Sequence, residues 1–105
     1  MLARHGYAVE VYERFRDPRI EDAEAGRSIN LALAARGLNA LEKVGIDRLI
    51  RPLLVPMRGR MVHGQDGSTE FLRYGQHRDE EIYSITRLGL NQVLLGAADE
   101  IDNLN

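Results

Sequence analysis

The sequence predicts an α/β fold in which helices alternate with short strands and one β-hairpin is inserted. Three observations lead to this prediction: alternating apolar residues near the start indicate a strand, an Asp-Gly pair between two strand-like runs indicates a hairpin, and an amphipathic stretch near the end indicates a helix. The chain has 105 residues, 44% of them hydrophobic and 29% charged. Its length and composition are therefore those of one globular domain at most.

The first thirteen residues are predicted to be the end of a helix followed by a strand. Met1–His5 runs up to Gly6, the residue type that most readily adopts the left-handed conformation that closes a helix. Tyr7–Tyr12 alternates valines with aromatic residues, which predicts a strand ending at Glu13. Arg14–Gly26 is charged, contains a proline and has no periodicity, so a loop is expected there.

Two helices are predicted next. Asn30–Val44 has leucines at positions 31, 38 and 41, a helical spacing that Gly37 interrupts and that ends near Gly45. Asp47–Leu53 is predicted to be a shorter helix with its aspartate as the capping residue.

Strands dominate from position 56 onward. Pro56–His63 and Thr69–Tyr74 flank the Asp66-Gly67 pair, a hairpin signal because glycine tolerates a positive φ. Ile82–Thr86 is predicted to be a further strand. The last element is a helix over residues 87–101, whose apolar face is formed by Leu90, Val93, Leu94 and Ala97.

Composition excludes several functions. Sixteen acidic and fourteen basic residues give a net charge of −2, which argues against a nucleic-acid partner. The absence of cysteine excludes disulfides, thiolate metal sites and a cysteine nucleophile. His5, His63 and His77 lie far apart, and none has a second ligand at helical spacing, so no metal site is expected. No export signal or membrane-spanning run is visible, and a cytoplasmic location is expected.

The acid that ends the first predicted strand suggests a nucleotide site. A helix closed by glycine, then a strand ending in an acid, is the second half of a dinucleotide-binding βαβ unit, in which the carboxylate accepts hydrogen bonds from the adenosine ribose. The Gly-rich turn and first strand of such a unit would precede Met1. On these residues alone, the simpler interpretation stays open that Glu13 merely ends an exposed strand.

Longer matches extend this interpretation. They are VYER at 11–14, DPR at 17–19, GRSINLA at 26–32, ARG at 35–37, MRGRM at 57–61 and IYSI at 82–85, with Tyr74, Arg87 and Leu90-Asn91. In collinear order over nearly the whole chain, they resemble the kynurenine 3-monooxygenases, a family of FAD-dependent aromatic hydroxylases. The resemblance implies that residues 1–105 are a partial Rossmann-like FAD-binding domain with a β-hairpin insertion. In this domain the first strand, the Gly-rich turn and the C-terminal remainder are absent.

The resemblance also implies a cofactor and the residues that bind it. Enzymes of this family use FAD, with NADPH as co-substrate, to place one oxygen atom of O2 on an aromatic ring. Carried over position by position, Glu13 with Arg14 beside it would bind the adenosine ribose, and Ala32 with Arg27 nearby would contact the flavin. Arg87 would contact FAD at the start of the last helix, where a cation is unfavourable unless a bound anion or a nearby acid compensates.

The implied substrate is L-kynurenine, hydroxylated to 3-hydroxykynurenine on the route to quinolinate and NAD. Arg60 and Tyr74 would hold its carboxylate, because the planar donors of arginine match two carboxylate oxygens. The two residues flank the predicted hairpin from opposite strands, so both donors could reach one anion. Without the resemblance, a solvated Arg60 and a Tyr74 at the edge of the core would be the favoured interpretation.

Other assignments stay open. The chain could derive from another FAD-dependent aromatic hydroxylase, or be a non-catalytic binding module or a gene fragment without an independent role. Because the Gly-rich turn has no counterpart here, we expect the chain by itself to be inactive and to be marginally stable or to self-associate. One small departure from the family is Thr86, where serine or asparagine is common.

Overall fold

A computed structural model describes residues 1–20, 29–75 and 81–105. These ranges form a mixed α/β arrangement with two antiparallel sheets. The strands are β1 (Asn30–Leu33), β2 (Val55–Met57), β3 (Gly59–His63), β4 (Thr69–Arg73) and β5 (Ile82–Thr86). The α-helices are α1 (Ala35–Lys43), α2 (Asp47–Ile50) and α3 (Arg87–Asp99), and single 3₁₀ turns lie at Ala3–His5 and Arg51–Leu53.

The core lies where helices cover the three-stranded sheet. This sheet has the order β1-β5-β2, so β5 is its central strand. Ile85 of β5 packs with Ile46 and Ile50 around α2, and all three are buried. Partly buried apolar side chains from β1, α1, α3 and the connections after α1 and before β2 surround them: Leu31, Leu33, Leu41, Val44, Leu54, Leu90, Val93 and Ala97. Three of the four residues predicted for the apolar face of the last helix therefore pack on the core, whereas Leu94 is 38% exposed.

The predicted hairpin is confirmed. Strands β3 and β4 pair from Gly59↔Arg73 to His63↔Thr69. At the turn the amide of Gly64 donates to the carbonyl of Ser68, and Gly67 adopts a φ of 82°. The Asp66 carboxylate accepts hydrogen bonds from both the amide and the hydroxyl of Ser68, so the Asp-Gly pair closes the turn as its chemistry predicts.

The single strand predicted over Pro56–His63 is wrong, because two strands in different sheets occupy this range. Val55–Met57 pairs with β5, and the chain then passes at Arg58 into β3 of the hairpin. Pro56 explains part of this arrangement, since a residue without an N–H is tolerated on an edge strand and β2 is an edge of its sheet.

The predicted helix over Asn30–Val44 is wrong in its first part. Asn30–Leu33 is a strand that pairs with β5 in the register Asn30↔Thr86 to Leu33↔Tyr83. Leu31 and Leu33 point to the core by strand alternation, not by helical spacing. The helix proper begins at Ala35 and continues through Gly37, where an added Cβ would lie 2.5 Å from the Leu33 side chain. The glycine therefore lets α1 pack closely on β1 and does not interrupt the helix.

The other helix boundaries largely agree with the predictions. Gly45, with a φ of 71°, follows the end of α1. Asp47 begins α2 but does not cap it; Ile46 holds the capping position, and the Asp47 carboxylate accepts from Arg51 at 3.3 Å. In α3 the hydroxyl of Thr86 accepts a hydrogen bond from the Gly89 amide at 3.1 Å, an N-cap.

The N-terminal segment matches its prediction in part. A helical turn at Ala3–His5 ends at Gly6 in the left-handed conformation, as predicted. The strand predicted over Tyr7–Tyr12 is wrong as a continuous strand, because Val9 alone forms a β-bridge, a parallel one with Leu104. Three backbone hydrogen bonds extend this pairing. The Val9 amide donates to the Asn103 carbonyl, the Asn105 amide donates to the Val9 carbonyl, and the Val11 amide donates to the Asn105 carbonyl. We call residues 7–20 the N-terminal arm.

The arm continues into the predicted loop. Residues 14–20 form bends and a turn, as expected, and the rest of the predicted loop, 21–26, lies outside the described residues. In the part of the chain that the structure describes, no helix is long and apolar enough to cross a membrane.

The chain is extended for its mass. Its radius of gyration is 17.6 Å, compared with about 13 Å for a compact domain of this length. Its accessible surface is 9017 Å², compared with about 5,900 Å² for a folded monomer of 11.9 kDa. Large apolar side chains such as Tyr12, Phe15, Met61 and Phe71 are exposed. Much apolar surface is thus exposed and could pack against other polypeptide. Self-association of the chain stays a prediction.

Candidate functional site

Glu13 lies in the N-terminal arm just beyond its parallel pairing. The residue is exposed, and its Oε1 atom accepts a hydrogen bond from the Phe15 amide at 2.9 Å. This bond closes a short turn and fixes one carboxylate oxygen. Among the described residues the other oxygen, Oε2, has no partner, so the carboxylate keeps acceptor capacity for a hydroxyl group.

Arg14 is also exposed and lies over an aromatic ring. Its guanidinium carbon is 4.6 Å from the centre of the Phe15 ring, within the range of a cation–π contact. The guanidinium carries five N–H donors, so a contact with one ring leaves donors for other groups. Arg14 and Glu13 therefore present donors and an acceptor side by side.

Ala32 and Arg87 lie at the β1–β5 end of the three-stranded sheet. Ala32 is opposite Ser84 and exposed, on the face away from the core leucines of β1. Arg87 is the first residue of α3, and its amide donates to the carbonyl of Ile29 at 3.0 Å. Its side chain is exposed and has no partner among the described residues. The structure therefore brings the start of α3 close to the strand that carries Ala32.

Arg27, the remaining residue predicted to bind the cofactor, lies outside the described residues. The same holds for Gly26 and Ser28 of the GRSINLA stretch and for His77.

Arg60 and Tyr74 share one face of the hairpin. Arg60 is opposite Leu72, and the Tyr74 amide donates to the carbonyl of Arg58 at 3.0 Å, which extends the same antiparallel register by one step. Because side chains alternate along a strand and directly opposite residues share a face, Arg58, Arg60, Leu72 and Tyr74 lie on one side. Arg60 and Tyr74 are diagonal neighbours there.

Sequence reasoning missed the ion pair beside this face. The Arg58 Nε atom lies 4.0 Å from Glu81 Oε1, and the same carboxylate accepts a hydrogen bond from the Tyr83 hydroxyl at 2.9 Å. That hydrogen bond raises the pKa of Tyr83, because ionisation of the phenol would remove the proton that it donates. The signal was present in the sequence, since Arg58 is two residues from Arg60 and a strand places such residues on one face.

The predicted residues therefore form three groups: Glu13 with Arg14 on the arm, Ala32 with Arg87 at the sheet, and Arg60 with Tyr74 on the hairpin. Among the described residues, no cluster of three or more histidine, aspartate or glutamate side chains could hold a metal ion.

Comparison with known proteins defines the class. No family model matches the chain. Curated proteins do: it is 48% identical over 100 residues to a kynurenine 3-monooxygenase of Stenotrophomonas maltophilia and 49% identical over 100 residues to one of Xanthomonas oryzae pv. oryzae. One of Xanthomonas campestris pv. campestris is 46% identical over 100 residues. Each match covers 95% of this chain but 22% of the relative.

The chain is thus related to monooxygenases and spans about a fifth of the length of the relatives it matches. Within that class, the resemblance to the kynurenine 3-monooxygenases is confirmed over almost the whole chain.

Proposed function

We propose that this chain is a segment of an FAD- and NADPH-dependent monooxygenase that hydroxylates L-kynurenine to 3-hydroxykynurenine. The observation that carries the proposal is the 48% identity over 100 residues to proteins named for that activity. The segment corresponds to part of the FAD-binding domain and carries contacts for both cofactor and substrate. Residues elsewhere in the enzyme complete both sites, so the segment alone has no turnover.

A Rossmann-like arrangement is supported by the pairing of the N-terminal arm. A doubly wound dinucleotide-binding sheet is built from parallel strands joined through helices. Residues 9–11 pair in parallel with residues 103–105, and α3 comes directly before the second of these segments. Glu13 follows the first segment, at its carboxyl end, where ligands of such sheets bind.

The chemistry of the exposed groups fits FAD. Glu13 offers a carboxylate oxygen to a ribose hydroxyl, and Arg14 beside it offers N–H donors. Arg87 places a cation at the N-terminus of α3, which a cofactor phosphate would neutralise. With thirteen residues, α3 is about 20 Å long. The arm contacts α3 at Gln92 and Asp99, whereas Arg87 begins the helix, so the two groups of exposed residues are separated along α3, as an elongated dinucleotide requires.

When bound and reduced by NADPH, FAD would supply the redox chemistry by which one oxygen atom of O2 enters the aromatic ring and the other is released as water. The small Ala32 side chain leaves room for a flat ring to approach the sheet. Arg27, whose position lies outside the described residues, is proposed to lie near the same ring.

The face of the hairpin that carries Arg60 and Tyr74 binds the substrate. The Arg60 guanidinium and the Tyr74 hydroxyl both donate to the carboxylate of the amino acid, which positions the aromatic ring for hydroxylation. Arg58 strengthens the positive potential of this face, and the carboxylate of Glu81 orients it. Among the described residues Glu81 pairs with Arg58 and not with Arg60, so a substrate carboxylate is expected to neutralise Arg60.

The test is a chimaera in which this chain replaces the matching segment of the Stenotrophomonas maltophilia relative. We expect the chimaera to bind FAD, to oxidise NADPH when L-kynurenine is added, and to form 3-hydroxykynurenine. An FAD-loaded chimaera that hydroxylates other carboxylated aromatics but not L-kynurenine would contradict the proposed substrate. One that forms no hydroxylated product would contradict the proposed activity.

Within the chimaera, Arg60→Ala tests whether the hairpin binds the substrate carboxylate. Because a charge-assisted hydrogen bond is lost, we expect the KM for L-kynurenine to rise by about tenfold to a hundredfold. Tyr74→Phe removes a weaker donor and should raise the KM by less. The matched control is Arg73→Ala, which removes the same side chain from the opposite face of the hairpin and should leave the KM unchanged. An equal effect of the two arginine substitutions would contradict the assignment.

A further inference from the structure

The N-terminal arm carries Glu13 but is not held in place by a core. Its large apolar side chains are exposed, with Tyr12 at 88% and Ile20 at 82% of their full accessibility. No residue of the arm is buried. Hydrophobic burial therefore cannot fix the position of Glu13, and polar contacts to the rest of the chain must do so.

The first attachment lies before Glu13. The parallel hydrogen bonds join residues 9–11 to residues 103–105. The Asn103 side chain adds two more bonds, because its Nδ2 atom donates to the Tyr7 carbonyl at 2.6 Å and to the Ala3 carbonyl at 2.8 Å. One amide group thus joins the start of the arm to the helical turn that precedes it.

The second attachment lies after Glu13. The Gln92 side chain on α3 donates to the Pro18 carbonyl at 3.0 Å. Arg19 bridges two carboxylates, binding Asp17 at 2.6 Å within the arm and Asp99 at the end of α3. These bonds raise the pKa of Arg19 further above its usual range. Asp99 is the last residue of α3, where a negative charge is locally unfavourable, and the pairing with Arg19 compensates for it.

We infer that Gln92, Asp99 and Asn103 are positioning residues that fix the Glu13 carboxylate for the cofactor ribose by holding the arm on both sides of it. Between the two attachments, the turn closed by Glu13 Oε1 and the Phe15 amide keeps the second carboxylate oxygen available. None of these three residues is adjacent to Glu13 in sequence. Their role toward the ribose depends on the proposed function, whereas the attachment of the arm does not.

The attachment is tested on the 105-residue chain by NMR, with three shape-conserving substitutions: Asp99→Asn, Gln92→Met and Asn103→Asp. We expect hydrogen exchange at the Phe15 and Val11 amides to become about threefold to tenfold faster in each variant. Exchange in β5 should be unchanged, which shows that the core is intact. The matched control is Glu100→Gln, which removes the same charge one residue after Asp99 and should change nothing.

Two results would overturn the attachment. One is unchanged exchange at the Phe15 and Val11 amides in the variants. The other is that, in the unsubstituted chain, the β5 amides already exchange as fast as the amides of the arm. Arg19→Lys keeps a cation, so it should preserve the protection of the Phe15 and Val11 amides against exchange. Arg19→Gln should reduce that protection. In the Arg19→Gln background, Asp99→Asn should add no further effect, because the pair is already broken.

The positioning role is tested on the chimaera with the same substitutions. We expect its dissociation constant for FAD to rise about threefold to tenfold, while kcat at saturating FAD stays unchanged. FAD affinity that does not respond would overturn the positioning role even if L-kynurenine is hydroxylated. A chimaera that binds FAD with this sensitivity but forms no product would contradict the proposed function and leave the positioning role supported.

Discussion

The packed half of the molecule and the N-terminal arm are held by different forces. Around β5, apolar side chains from β1, α1 and α3 pack on a buried cluster that contains Ile50, which is 0% exposed. Along the arm the large apolar residues face outward, and side-chain amides and carboxylates make the tertiary contacts. The two regions belong to one chain, but they should respond to different perturbations: the first to loss of volume, the second to loss of hydrogen bonds and charge.

This difference also bears on function. Binding elements are commonly drawn from the less stable parts of a fold that a rigid part supports. In the proposed site, the packed half provides α3 and the sheet, and the arm provides the Glu13 carboxylate. A cofactor that contacts both regions would join them.

The largest effect should follow from Ile50→Ala. Removing a fully buried side chain leaves a cavity, and the free energy of unfolding should fall by about 2–5 kcal/mol. Urea unfolding followed by circular dichroism measures it. Ile50→Val should cost about 0.5–1.5 kcal/mol. The control, Ile20→Ala on the arm, removes the same atoms from an exposed position and should stay within about 0.5 kcal/mol of the unsubstituted chain. Comparable losses at both positions would break the comparison.

An intermediate effect should follow from Thr86→Ala, which removes the N-cap of the helix that both regions contact. Loss of the bond from the Gly89 amide should lower the free energy of unfolding by about 1 kcal/mol. The same urea titration measures it, and Thr86→Ser or Thr86→Asn should retain most of the stability. Serine and asparagine are the residues common at this position in the family that the sequence resembles, so the departure noted at Thr86 preserves the cap. Equal losses in the serine and alanine variants would argue against this role.

The smallest effect should be seen in acid and should be confined to the exposed polar turns. Hydrogen bonds from Arg19 lower the pKa of Asp17 below its ordinary value of 3.8. A depressed carboxyl pKa stabilises the folded form above the ordinary value, and the contribution disappears as the pH falls through the depressed value. Below pH 3.8 the Arg19 amide, which donates to Asp17, should therefore lose protection against exchange, corrected for the intrinsic rate. Amides of β5 should keep theirs.

Hydrogen bonds from Ser68 likewise lower the pKa of Asp66. The Ser68 amide at the tip of the hairpin should therefore lose its protection against exchange in acid, as the Arg19 amide does. In an Asp17→Asn variant the protection of the Arg19 amide should no longer depend on pH in this range. A simultaneous loss of protection in β5 and in the arm would mean that the two regions unfold as one unit.

Local signals predicted several elements correctly. Alternation and turn chemistry predicted the hairpin and β5, and the amphipathic period predicted α3, because each of these elements is specified by residues close in sequence. The paired placement of Arg60 and Tyr74 on one face was foreseeable for the same reason, since hairpin register follows from its turn.

Three predictions failed where pairing partners are distant in sequence. Leu31 has a helical spacing to Leu38 but also alternates with Leu33 as in a strand, and pairing with β5, about fifty residues away, decided for the strand. The division of 56–63 into β2 and β3 depended on which strand each half could reach. Tyr7–Tyr12, the first part of the arm, was predicted to be a full strand, but its few strand-like backbone partners are at residues 103–105.

The sequence by itself determined the resemblance to the kynurenine 3-monooxygenases, the hairpin, the last helix and the residue types proposed to bind a cofactor and a carboxylate, because each depends on contiguous motifs. Tertiary structure alone decided which apolar residues are buried, where β1 begins, and how Glu13 is held. Those outcomes depend on hydrogen bonds and contacts between residues up to a hundred positions apart, such as Asn103 with Ala3, which no local pattern encodes.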